Sequence, residues 1–82
     1  MTNKVLVDVV VPEIEKRFDI FLPINKKMGN IIILLNKAIS EMDENFTRTN
    51  NSLYNQATGI KYPTNSLLYH TDIRNGTTLI LI

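Results

Sequence analysis

Met28-Gly29-Asn30-Ile31-Ile32-Ile33-Leu34-Leu35-Asn36-Lys37-Ala38-Ile39-Ser40-Glu41-Met42 is the one run of this sequence with a strong helical period. Met28, Ile31, Ile32, Leu35, Ala38, Ile39 and Met42 recur at intervals of three and four, the spacing that lines one face of an α-helix. The helix is expected to start near Asn25 to Lys27 and to end near Met42, where Asp43-Glu44-Asn45 breaks the pattern. Gly29 in its first turn costs about 1 kcal/mol relative to alanine. A single amphipathic helix has to bury its stripe against another layer, so the rest of the chain must supply a sheet.

The flanking residues supply it. Upstream, Val5 to Val11 is β-branched and alternating: Val5, Val7 and Val9 share one face, Leu6, Asp8 and Val10 the other. Pro12 ends the run because it has no N–H to give to a ladder. The polar stretch Glu13 to Arg17 reads as the turn, and Phe18, Ile20 and Leu22 alternate with Asp19 and Phe21 in a second strand closed by Pro23. Two adjacent strands with a tight return form an antiparallel hairpin. Downstream, Asn45 to Ser52 is polar and irregular, Leu53 to Ala57 and Ile60 to Tyr62 read as short strands, and Asp72-Ile73-Arg74-Asn75-Gly76 is a turn marked by Asn-Gly. Thr77 to Ile82 is the last strand. Hairpin, helix, two short strands and a final strand lying parallel beside the first describe an α+β, β-grasp fold. It has a mixed sheet of four to five strands packed on one α-helix. The chain is expected to be a single domain over residues 1–82.

Three stretches resemble the ubiquitin-like fold and, more narrowly, the small ubiquitin-like YukD/EsaB family of bacterial type VII secretion accessory proteins. They are Val5-Leu6-Val7-Asp8-Val9, then Phe18-Asp19-Ile20-Phe21-Leu22-Pro23 leading into Met28-Gly29-Asn30-Ile31-Ile32, then Asp72-Ile73-Arg74-Asn75-Gly76-Thr77-Thr78-Leu79-Ile80-Leu81-Ile82. The last is similar to the family's closing I-x-(D/N)-G-D-x-L-x-(L/I), with Thr77 where an Asp is common. These motifs specify a core and a turn and carry no chemistry. The resemblance implies a cytoplasmic, non-enzymatic accessory or regulatory protein of an ESX-like secretion machine, whose partner is another protein. Two alternatives remain: the soluble ubiquitin-like domain of a larger secretion-system membrane protein, and a carrier of the sulfur-carrier class. The carrier reading meets the absence of a Gly-Gly tail after Ile82; Met1 opening directly onto the first strand favours a whole small protein over a domain.

Composition agrees with a binding role. A net charge of +1 on 82 residues makes no electrostatic case for nucleic acid, and Lys16-Arg17 and Lys26-Lys27 are too short to change that. There is no cysteine, so disulfides and thiolate metal sites are excluded. No signal-peptide layout opens the chain, and the longest apolar run, Ile31 to Leu35, is too short for a membrane span. His70, the one histidine, lies near a turn beside Asp72 and reads as a surface residue. No paired carboxylates, P-loop or Gly-rich fingerprint occurs, so no catalytic, metal or cofactor residue is expected.

The residues that point to function are misplaced apolar ones. If Val5, Val7, Val9, Phe18, Ile20, Leu22, Leu53, Tyr62, Leu68, Ile73, Leu79 and Leu81 face the helix, then Leu6, Val10, Phe21, Ile80 and Ile82 face away. Leu6, Phe21 and Ile80 are expected side by side on the open face, with Tyr54 joining from the third strand. A contiguous apolar patch of this kind marks a partner site, either for a second copy or for a secretion-machine subunit, unless loops or the N-terminal residues cover it. Ubiquitin-like folds in general recognise partners through this face. Ile33, nearly opposite the helical stripe, is either a secondary surface or a lone exposed residue, with Leu34 at the boundary.

Overall fold

A computed structural model describes residues 3–82. Strand β1 (Lys4–Val11) runs into a 3-10 turn at Pro12–Ile14, and Glu15 takes a left-handed φ of 53° to reverse the chain into β2 (Lys16–Pro23). The hairpin is longer than expected, because Lys16 and Arg17 join the second strand: Val11 pairs with Lys16 and Val10 with Arg17. Helix α1 (Met28–Met42) follows, then β3 (Leu53–Asn55), a 3-10 turn at Leu68–His70, and β4 (Thr78–Leu81). The sheet order is β2-β1-β4-β3, with β1 and β4 parallel and the other neighbours antiparallel. This is the expected β-grasp, with four strands among the described residues.

The expected short strand at Ile60 to Tyr62 is absent as a strand; only Lys61 makes a bridge, to Tyr54. Asn55 explains why. Its Oδ1 accepts the N–H of Ala57 at 2.8 Å, bending the chain straight after β3, and Gly59 completes the turn at a φ of 72°. Its Nδ2 donates to the Tyr62 hydroxyl (3.0 Å), which itself donates to Asp72 (2.6 Å). A residue that closes its own turn ends the ladder after three residues. Burial, and secondarily the neighbouring Asp72, push the Tyr62 hydroxyl far above its ordinary pKa, so it stays a donor.

Every sheet residue expected under the helix is buried or half-buried there, and Val9, Leu22, Met28, Ile31, Leu35, Ile39, Leu53, Leu68, Leu79 and Leu81 are fully enclosed. Four side chains depart from the sequence reading. Met42 stands 53% exposed although it falls on the stripe. It lies in the last turn, past Ile39, where the chain turns back and Phe46 enters the core from the loop that reads as wholly polar. Asp43, next to Met42, is buried: its carboxylate accepts Lys16 Nζ at 2.6 Å and the N–H of Asn45 at 2.9 Å, fastening the helix end to the start of β2. Asn36, on the expected polar arc, is also buried. Its Nδ2 donates to Ile32 O (2.9 Å) and to Asn50 O (2.7 Å), drawing the 47–52 loop over the helix.

Phe46→Ala is expected to lose about 3 kcal/mol or more of unfolding free energy. Met42→Ala is expected to stay within about 0.5 kcal/mol of the parent protein. Urea denaturation of both variants checks this; equal losses would return Met42 to the core.

Candidate protein-interaction face

The pleat of the sheet decides which side chains are free. With Val5, Val7, Val9, Leu79, Leu81 and Leu53 turned to the helix, the alternating positions Leu6, Asp8, Val10, Thr78, Ile80 and Tyr54 share the opposite face. On β2 the partners of these positions are Phe21, Asp19 and Arg17. The apolar members are solvent-accessible: Phe21 is 61% exposed, Leu6 37% and Ile82 57%, while Val10, Tyr54 and Ile80 are half-buried.

The expected side-by-side row of Leu6, Phe21 and Ile80 does not form as such. Leu6 pairs with Phe21, but Ile80 pairs with Val10 and with Tyr54. The parallel register sets this, by matching Val9 to Leu79, both in the core. Leu6 finds its neighbour on that side in the Asn75-Gly76 turn: its N–H donates to Asn75 Oδ1 and its carbonyl accepts Gly76 N–H, both at 2.8 Å. Gly76 holds a φ of 87°, which suits glycine. Ile80 therefore lies four residues along the sheet from Leu6, on the order of 13 Å away.

The open face carries two apolar patches with a polar band between them. Leu6 and Phe21 make the first, beside a shallow hollow walled by Asn3, Lys4, Phe21 and Asn75. Val10, Ile80, Tyr54 and Ile82 make the second. Asp8, its cross-strand partner Asp19, and Thr78 fill the band. Two carboxylates directly opposite each other repel, and Arg17, two residues along β2, relieves this by gripping both oxygens of Asp8, with Nε at 3.2 Å from one of them. That hydrogen bond, with the attraction of the guanidinium, holds the Asp8 carboxyl below its usual pKa, and Asp8 raises that of Arg17. Two carboxylates against one guanidinium leave the band with one uncompensated negative charge, on the Asp19 side.

The remaining candidates are separate from this face. Ile33 is 65% exposed on α1, with Leu34 at the margin of the buried stripe. His70 is exposed and meets the edge of the Tyr69 ring, with centroids 4.3 Å apart. Of the two basic pairs, Lys16 is bound to Asp43 and Arg17 to Asp8, which removes half the charge that a phosphate would need. The Asp8–Arg17 clasp and the Asn55–Tyr62–Asp72 cluster were missing from the sequence reading. An Asp and an Arg on alternate positions of paired strands is the signal that would have indicated the first. Among the described residues no helix is long and apolar enough to cross a membrane.

No protein-family model matches the chain, and no curated protein matches it in sequence. Solved structures do. A chain of the ESX-5 inner membrane complex without MycP5 superposes over 99% of this chain with a TM-score of 0.80 at 17% identity, and this chain spans 21% of that one. The ubiquitin-like domain of the Mycobacterium tuberculosis type VII secretion protein EccD1 superposes over 100% of this chain and 99% of its own length, with a TM-score of 0.76 at 17% identity. The ubiquitin-like domain of an Arabidopsis thaliana protein matches over 99% of this chain and 78% of its own, at 18% identity with a TM-score of 0.66. The fold is thus that of a ubiquitin-like domain.

The folded-state pKa of Asp8 lies below its unfolded value, so the clasp contributes stability above the usual carboxylate pKa of about 3.9. That contribution is lost as pH falls through the lower, folded value. Carboxyl titration by NMR is expected to show Asp8 ionising below the usual aspartate value of about 3.9, and Arg17→Ala is expected to raise it toward that value. An unchanged Asp8 titration in Arg17→Ala would mean that the guanidinium does not hold it.

Proposed function

We propose that this domain is a non-enzymatic protein-binding module of a bacterial type VII secretion system, an accessory or regulatory component of the YukD/EsaB kind that acts in the cytoplasm. One observation carries the binding role: the free face of the sheet presents Leu6 and Phe21 on one side and Val10, Tyr54, Ile80 and Ile82 on the other, with no element of the described residues laid across Phe21 or Ile82. Exposed apolar side chains so grouped on one free face, in two patches split by a charged band, offer a partner two apolar anchors. The secretion reading rests on the resemblance of the closing motif, with support from the likeness in fold to the ESX-5 chain and to the EccD1 domain.

A second reading draws on the same likeness. The chain covers 21% of the ESX-5 chain and nearly all of the excised EccD1 domain, which favours a soluble domain that serves a larger membrane protein of such a machine. The open face is the working surface in either case.

A photoactivatable phenylalanine at position 21, introduced in cells that carry the secretion genes, tests the proposal. Cross-linking is expected to attach the domain to a subunit of the secretion machine. The double variant Phe21→Asp, Ile80→Asp is expected to remain folded and to lose at least about tenfold in affinity for that subunit, on the scale of two truncated hot-spot residues. Adducts confined to proteins outside the machine would overturn the secretion assignment. Undiminished binding by the double variant would move the site off this face.

A further inference from the structure

The two edges of the sheet are unequal. At β3 the chain folds back on itself: Asn55 N–H donates to Ile60 O (3.0 Å), Tyr62 N–H to Leu53 O (2.9 Å), and Tyr54 bridges Lys61. That edge is closed. The other edge is β2, an eight-residue strand. Its free backbone groups follow from the pairing of β1. Asp8 N–H donates to Thr77 O and Leu6 O accepts from Gly76 N–H, so Leu6 and Asp8 spend their backbone groups away from β2. Val5, Val7, Val9 and Val11 then bond to Leu22, Ile20, Phe18 and Lys16. The N–H and C=O groups of Arg17, Asp19 and Phe21 point out of the sheet, and no backbone group among the described residues takes them up.

An open edge of this length invites another strand. Pro23 and the left-handed Glu15 bound it, so only the span between them can pair. The side chains of that span select the partner. If a second copy aligns antiparallel about a two-fold axis, outward-facing residues must meet outward-facing residues. The registers that keep most of the strand paired place Phe18, Asp19 or Ile20 on the axis. With Asp19 there, it faces Asp19 of the second copy and the carboxylates repel. With Ile20 there, Asp19 faces Phe21 and both charges are left alone. With Phe18 on the axis, Arg17 faces Asp19 of the second copy, twice by symmetry. Each pair exchanges both backbone hydrogen bonds, and opposite charges sit directly across from each other. The guanidinium of Arg17 has five N–H donors, and its contacts with Asp8 use Nε and one terminal nitrogen. Another face of it remains for the carboxylate that the monomer leaves uncompensated, Asp19. On the helix side the half-buried Phe18 meets its own copy.

We propose that the β2 edge is a self-pairing surface, joining two copies of this chain into one eight-stranded sheet with Phe18 on the two-fold axis and Arg17 opposite Asp19. The arrangement is closed: the axis consumes the one open edge among the described residues of each copy, so it ends at a dimer and does not grow into a filament. It does not depend on the secretion assignment, and its test uses residues outside the Phe21 and Ile80 pair.

Sedimentation equilibrium of the purified chain is expected to show a reversible dimer. Asp19→Pro removes an outward N–H that does no work in the monomer, a position where an edge strand tolerates proline. Asp19→Lys leaves the backbone intact and sets like charges across the axis. Both are expected to weaken the dimer by about tenfold or more with circular dichroism unchanged; if the proline variant is unfolded, the lysine variant decides. Because the chain has no cysteine, Phe18→Cys reads the register. Non-hydrogen-bonded antiparallel partners lie about 4.5 Å apart at Cα, within disulfide reach, so this variant is expected to oxidise to a covalent dimer. Ile33→Cys on the exposed helix face is expected to stay monomeric. A parent chain that is monomeric into the millimolar range overturns the proposal. So does Asp19→Lys dimerising as tightly as the parent, Phe18→Cys cross-linking no faster than Ile33→Cys, or a β2 edge occupied instead by a strand of the protein cross-linked through Phe21.

Discussion

The parallel pairing of β1 with β4 holds this molecule together. The two strands come from opposite ends of the chain, and the register that sets Val9 beside Leu79 lays both side chains under the helix. Without it the hairpin would be a two-stranded ribbon, marginal in water at best, and the stripe of α1 would have half a sheet to cover it. The pairing is also non-local, so chain entropy is spent before contacts repay it. The Asn75-Gly76 turn eases that cost by binding the backbone of Leu6 on both its N–H and its carbonyl, one step before β4 begins.

The same register sorts the opposite face. Because Thr78 falls beside Asp8, and Asp8 beside Asp19, a polar belt crosses the middle of the sheet. The apolar residues are thereby split into two patches of a few side chains each. A single unbroken apolar face would be an aggregation hazard; a divided one demands that a partner match two anchors and a charge between them, which favours specificity over raw affinity. The clasp of Arg17 on Asp8 keeps the belt ordered while leaving the negative charge of Asp19 uncovered.

Much of this was legible in the residues. The period of Met28 to Ile39 and the alternation of Val5 to Val11 and Phe18 to Leu22 are local signals with one physical solution each, and the helix, hairpin and core follow from them. What escaped depended on contacts between distant residues. Phe46 sits among Asp, Glu, Asn and Thr, and its burial depends on where the loop closes, not on its neighbours in sequence. Met42 obeys the stripe, but the stripe says nothing of where the opposing layer stops. Asn36 reads as polar and exposed until the carbonyl of Asn50 arrives to accept from its Nδ2. The misplaced Ile80 has the same origin: alternation gives the face on which a side chain lies, while the register that gives its neighbours is a property of two strands together.

The two surfaces argued here are geometrically compatible. A two-fold axis through an antiparallel strand pair stands perpendicular to the sheet, so joining two copies along β2 keeps both open faces on the same side. The Leu6–Phe21 patch lies on the two strands next to the axis but three residues along them from Phe18, and the Val10–Ile80 patch starts beside the axis at Val10 and spreads outward to β3. Dimerisation would thus place the two Leu6–Phe21 patches at opposite ends of the new seam, on the order of 20 Å apart, with the paired Arg17 and Asp19 between them. A partner that is itself repeated, as subunits of a symmetric assembly are, would then gain from the second contact through effective concentration alone. A weak monomeric face on a domain of this size can in that way act selectively on assembled targets, since one isolated subunit offers it only a single foothold.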